Sequence, residues 1–235
     1  MADPKPLVLL ADSQLLFWSD EHGRRFLARL LALAGEGATR AAYLGASNGD
    51  QPEFFELFRA ALRDLGEVDC RHVPAEPTAE DLAFLSRAEF VLLAGGDPLL
   101  GLRAFQAHGV DRLLAERYTA GALLAGVSAG AVQLGLGWRP ADGAGSGHEP
   151  MLALAPFVVD AHDEPDWAPL RALVEAGGPA WRGIGVPAGG GLLLHADLSL
   201  EPVRRASTVF EWRGTQVTPA LIAPTGEDES AAGAV

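Results

Sequence analysis

A serine set among small residues at the end of an apolar run is the strongest chemical signal in this chain. Leu123 to Ala131 reads Leu-Leu-Ala-Gly-Val-Ser-Ala-Gly-Ala, with Gly126 before Ser128 and Gly130 after it. The pattern suits a buried strand turning sharply into a helix, the geometry of a nucleophile elbow. Such a turn crowds backbone against backbone, so a side chain at either glycine would clash. Ser128 would then stand at a strand's carboxyl end beside unpaired helix amides that favour a developing oxyanion. Taken alone, the five residues also fit an Ala/Gly-rich connection carrying an incidental serine.

A serine nucleophile needs a base, and the base needs a carboxylate to fix its tautomer. Of the six histidines, His22 and His108 fall on surface stretches and His72 and His195 in strands, where surface or core roles suffice. His148 lies in a glycine-rich stretch. His162 ends an apolar strand, and a strand end holds an imidazole more exactly than a loop does. The carboxylates between Ser128 and His162 include Asp142 and Glu149.

The elements that must position these groups alternate. Strands are expected over Leu7–Ala11, Arg40–Gly45, Val68–Val73, Phe90–Leu93 and the run to Val127. Helical patterns lie between them: Phe26 to Leu33; Phe54, Phe55, Phe58, Leu62 and Leu65; Thr78 to Arg87; Leu99, Leu102 and Phe105; and a further helix from about Val110 to Tyr118. This alternation predicts an α/β fold with a mostly parallel sheet covered on both faces, and sites beyond the strands' carboxyl ends. Gly95-Gly96 and Ser128 end consecutive strands and fall together at that edge. Gly137–Pro150 reads as irregular. Beyond it, Phe157–Ala161, Gly183–Val186, Gly191–His195 and Val203–Trp212 read as strands, with a helix over Asp166–Ala176. Residues 1–224 read as a single domain and 225–235 as a disordered tail.

Composition narrows the class. With 235 residues, 49% hydrophobic and 21% charged, the chain is ordinary for a globular enzyme, and no apolar run is long enough to span a bilayer. The N-terminal Met-Ala-Asp-Pro-Lys-Pro lacks a signal peptide's pattern, so a cytoplasmic location is expected. A single cysteine, Cys70, excludes an internal disulfide and supplies no metal cluster. The net charge of −13 opposes nucleic-acid and anionic-membrane partners and leaves a small molecule or a peptide.

Three segments in order, Leu-Ala-Gly-Gly-Asp (93–97), Gly-Val-Ser-Ala-Gly-Ala (126–131) and Leu-Ala-Leu-Ala-Pro-Phe-Val-Val-Asp-Ala-His (152–162), resemble the dipeptidase E and cyanophycinase family of serine peptidases. The resemblance implies a flavodoxin-like three-layer α-β-α sandwich related to class I glutamine amidotransferases. It also implies a cofactor-free, metal-free acyl-enzyme mechanism on short peptides. Ser128 becomes the nucleophile and His162 the base; the amides of Gly96 and Ala129 meet the oxyanion; Asp142, ahead of Glu149, completes the triad. A homodimer stays open as the assembly.

After the histidine the chain departs from that family. Its members commonly carry an aromatic residue and then arginines there, one of which binds the substrate's aspartyl carboxylate. Here the stretch is Asp163-Glu164-Pro165-Asp166-Trp167, and Arg171 is the first arginine. An acidic loop lacks the bidentate clamp, so neutral or basic peptides are expected to be cleaved at least as well as aspartyl ones, with Asp163 and Glu164 near a substrate amine or basic side chain. A preference for aspartyl peptides would instead point to Arg171 as a relocated clamp. Two other readings stand beside this one. A serine esterase of the α/β-hydrolase type shares the elbow but normally places more sheet units between serine and histidine. A non-catalytic ligand-binding member of the amidotransferase-like fold would explain the altered loop but not the retained serine, histidine and double glycine.

Overall fold

The most apolar segments become neighbours at the centre of one sheet. In this computed structural model, which describes residues 4–35, 37–139 and 148–224, β1 (Leu7–Leu10) is buried on both faces. Leu7 and Leu9 join one apolar cluster while Val8 and Leu10 join another, as the two-residue period of a strand requires. There follow α1 (Phe26–Ala34), β2 (Arg40–Leu44), α2 (Pro52–Arg63), β3 (Asp69–Val73), α3 (Ala79–Leu85) and β4 (Phe90–Leu93). Then come α4 (Pro98–His108), α5 (Val110–Thr119), β5 (Leu123–Val127) and α6 (Ala129–Leu134). Local chemistry sets several boundaries. Thr78 and Asp81 form a capping box on α3, Asp97 caps α4 ahead of Pro98, and Pro52 opens α2.

The rest of the chain supplies the short hairpin β6 (Gly137–Trp138) and β7 (Glu149–Pro150), then β8 (Val158–Ala161), α7 (Ala168–Gly177) and β9 (Gly183–Val186). It ends with β10 (Gly191–Leu194), β11 (Leu200–Val203), β12 (Ser207–Arg213) and β13 (Gln216–Ile222). The main sheet runs β11-β10-β1-β5-β4-β2-β3. Its strands from β1 to β3 pair in parallel, and β10 and β11 are antiparallel. Helices α1 and α2 cover one face and α3 to α6 the other. The fold is therefore the α/β architecture with a mostly parallel central sheet that the sequence implied.

A second sheet, β13-β12-β9-β8, goes beyond that expectation. Phe157, Val159 and Ala161 pack toward α6, while Val158, Phe210 and Val217 pack on α7. Val203–Trp212, read as one strand, is two. Arg204 turns with φ +67°, so β11 stays in the main sheet and β12 crosses to the second. Strand β13 escaped the reading because Pro219 lies inside it, and a proline is tolerated there because β13 is an edge strand.

Candidate active site

Ser128 joins β5 to α6 with φ +50° and ψ −110°, a conformation costing on the order of 1–3 kcal/mol for a non-glycine residue. Packing holds it there. The Ser128 amide donates to the Leu10 carbonyl (2.8 Å), and every residue of α6 is buried between the main sheet and β8. A side chain at Gly126 would strike the backbone of Gly130, and one at Gly130 would strike the Leu93 carbonyl. These glycines let the elbow helix lie directly on the strands.

Strand β8 pairs in parallel with β9, and the His162 amide extends that ladder to the Val186 carbonyl (2.9 Å). At the strand's end His162 adopts φ +51°, and its Nε2 lies 2.8 Å from Ser128 Oγ. Among the described residues nothing bonds the other ring nitrogen. Two residues earlier, burial pushes the Asp160 carboxyl up to about 6, the charge of Asp163 adding to the rise while the Ala161 amide and His162 oppose it. Asp160, His162 and Asp163 line a cleft of about 210 Å³ with Trp138, Arg139 and Pro169.

The turn after β4 faces Ser128 from the other side. Its Gly95 is so close that a side chain there would lie 3.4 Å from the Ser128 Cβ. Gly96 has φ +131°, and its Cα packs on the Ser47 carbonyl, which accepts the Asp97 amide (2.8 Å). Among the described residues the amides of Gly96 and Ala129 have no acceptor. Gln133, fully buried on α6, ties this turn to the elbow. Its Nε2 donates to Ser47 Oγ (3.0 Å) and to the Pro98 carbonyl (2.9 Å), and its Oε1 is buried without a partner among the described residues. Sequence reasoning missed Gln133, although one amide in an otherwise apolar elbow helix was a usable signal.

Above Ser128 opens a cavity of about 610 Å³ whose lining includes Gly96, His162, Tyr43, Phe54, Leu57 and Leu100. The remaining residues singled out in the sequence distribute as follows. Asp142 lies outside the described residues. Glu149 is exposed in β7, opposite Trp138. Glu164 accepts the Ala188 amide (2.8 Å) and pairs with Arg205 (3.4 Å). Arg171 pairs with Glu175 along α7 (3.0 Å), and neither Arg171, Glu164 nor Asp163 lines the large cavity. His148 packs its ring edge-on against Trp181 (4.7 Å). Cys70 is half-buried, and burial pushes its thiol up to about 12, so it is inert as a nucleophile.

The model of peptidase family S51 matches residues 7–155. A peptidase from an acI-B1 Actinobacterium has the same fold, with a TM-score of 0.71 at 17% identity over 95% of this chain and 96% of its own. A protein from Listeria monocytogenes EGD-e, provisionally named peptidase E, superimposes with a TM-score of 0.62 at 17% identity, over 86% of this chain and 98% of its own. No curated protein matches the sequence.

Proposed function

Because the chain belongs to peptidase family S51, we propose that it hydrolyses short peptides through an acyl-enzyme formed on Ser128. The observation that carries the reading is the 2.8 Å contact between Ser128 Oγ and His162 Nε2. His162 takes the hydroxyl proton as Oγ attacks the peptide carbonyl, then delivers it to the departing amine; water reverses the sequence to release the acid. The amides of Gly96 and Ala129 meet the tetrahedral oxyanion. Their lack of other acceptors supports the role, since an oxyanion hole needs donors free before the reaction.

Asp142 is the proposed carboxylate for the imidazole's second nitrogen. Gly137, Trp138 and Arg139 line the cleft beside His162, and the chain enters residues 140–147 from there. Glu149 is not among that cleft's lining residues and is exposed. Labelling with a fluorophosphonate probe tests the core of the reading. The wild type should label and Ser128→Ala should not. A Ser128→Ala protein that hydrolyses a peptide library as the wild type does would refute it.

A further inference from the structure

The cavity over Ser128 is nearly uncharged. Its walls are Leu16, Tyr43, Phe58 and Leu92 from the apolar cluster under α1 and α2, with Phe54, Leu57 and Leu100 at the rim. Those three rim residues are 45%, 44% and 51% exposed, which is high for large apolar side chains. Exposed apolar groups clustered round one opening mark a binding surface. All eighteen basic residues of the chain are described, and none lines this cavity. Among the described residues the one carboxylate that does is Asp12, and it is occupied: Oδ1 accepts the Gln14 amide (2.9 Å) and Oδ2 the Gly189 amide (2.6 Å). The Tyr43 hydroxyl is likewise held, accepting from Asn48 Nδ2 (2.9 Å).

The position of His162 says which part of the substrate enters. The imidazole must protonate the departing amine, so the leaving group lies on its side of Ser128. His162 comes from the second sheet and borders the cavity only at its Ser128 end, whereas Leu16, Tyr43, Phe58 and Leu92 carry the cavity away from it over the α1 and α2 face of the sheet. The group entering the cavity therefore belongs to the acyl half.

We infer that this cavity is the acyl-side specificity pocket and takes a large apolar side chain, leucine or phenylalanine, in place of a charged one. The inference rests on Ser128 being the nucleophile. A leucyl or phenylalanyl group buries its surface against the walls, while an aspartyl carboxylate would be desolvated with no cation to meet it. One cation approaches from behind the 188–190 turn: the guanidinium of Arg204 nears Gly189, whose amide donates to Asp12, and lines a separate cleft.

Two measurements test this. Coumarin amides of Leu, Phe, Asp and Lys, each with free and acetylated amine, should show Leu and Phe favoured about 10- to 100-fold in kcat/KM over Asp and Lys. Leu57→Arg should lower the Leu rate and raise the Asp rate, inverting the ratio. Independently of turnover, peptide aldehydes ending in leucinal or phenylalaninal should block fluorophosphonate labelling at lower concentration than one ending in aspartal. Equal or better handling of Asp by a protein that depends on Ser128 would overturn the inference alone, with Arg204→Ala then expected to abolish the preference. Activity that survives Ser128→Ala would instead remove the catalytic reading beneath it.

Discussion

The two sides of Ser128 differ in kind. Toward the second sheet and α7 lie ionisable groups, namely His162, Asp160, Asp163 and Arg139 around a small cleft. Toward α1 and α2 lies a larger cavity with apolar walls and, among the described residues, a single carboxylate, each of whose oxygens accepts a backbone amide. The larger cavity opens past the carboxyl ends of β1, β4 and β5, where this fold class builds its sites, and the small cleft lies beside it, between β8, β6 and α7. The contrast separates two tasks. Proton transfer needs titratable groups held in fixed geometry, whereas side-chain selection needs surface without competing charge.

Removing the proton-transfer side should cost most. Ser128→Ala and His162→Ala should each fold and lose about 10³-fold or more in turnover, because the two residues serve one proton transfer. His148→Ala should stay within about twofold, since that ring packs on Trp181. Steady-state kinetics on one good peptide decide this, and a larger loss from His148→Ala would reassign the base.

The joint between the two sides comes next. Gln133 bridges the elbow helix to Ser47 and Pro98 and in the proposed mechanism would position the Gly96 amide. Gln133→Leu leaves the Ser47 hydroxyl and the Pro98 carbonyl without that donor, for a stability loss of about 1–3 kcal/mol. Misplacing one oxyanion donor should lower kcat about 10- to 100-fold, with KM nearly unchanged because the apolar walls remain. A folded Gln133→Leu protein with wild-type kcat would end that role.

How much of this was legible depended on range. The elbow is a local pattern: the spacing of Gly126 and Gly130 pointed to it, although the same five residues also fit an incidental connection. His162 needed the family resemblance as well as its strand-end position, because nothing in nearby sequence ties it to Ser128. The Gln133 clamp was invisible, since its partners lie on the loop after β2 and at the start of α4 and meet only through the crossovers. Phe54 counted among the apolar residues tracing a helix face, and the structure leaves it half-exposed at the cavity rim. Periodicity identifies an apolar stripe but cannot say whether protein or substrate covers it. The second sheet was hidden for a similar reason: a continuous apolar run over Val203–Trp212 gives no sign that Arg204 turns the chain from one sheet to another.

The smallest expected effect sharpens the electrostatic half of the contrast. Burial raises the Asp160 carboxyl to about 6 from its ordinary value of 3.8. Between roughly pH 4 and pH 6 the folded protein therefore keeps a proton that the unfolded chain has released, and stability falls as pH rises through that window. Above it the buried charge is fully present and its cost is constant. Asp160→Asn keeps the side-chain oxygen that accepts the Ala161 amide (2.8 Å) and removes the charge. It should match the wild type near pH 4 and exceed it at pH 7 by about 3 kcal/mol, roughly 6–12 °C in Tm for a domain of this size. Other acidic groups of this chain, with its net charge of −13, titrate alike in both proteins, so the difference between their melting curves isolates Asp160. A gap that stays constant from pH 4 to pH 7 would show that the charge beside His162 carries no such cost.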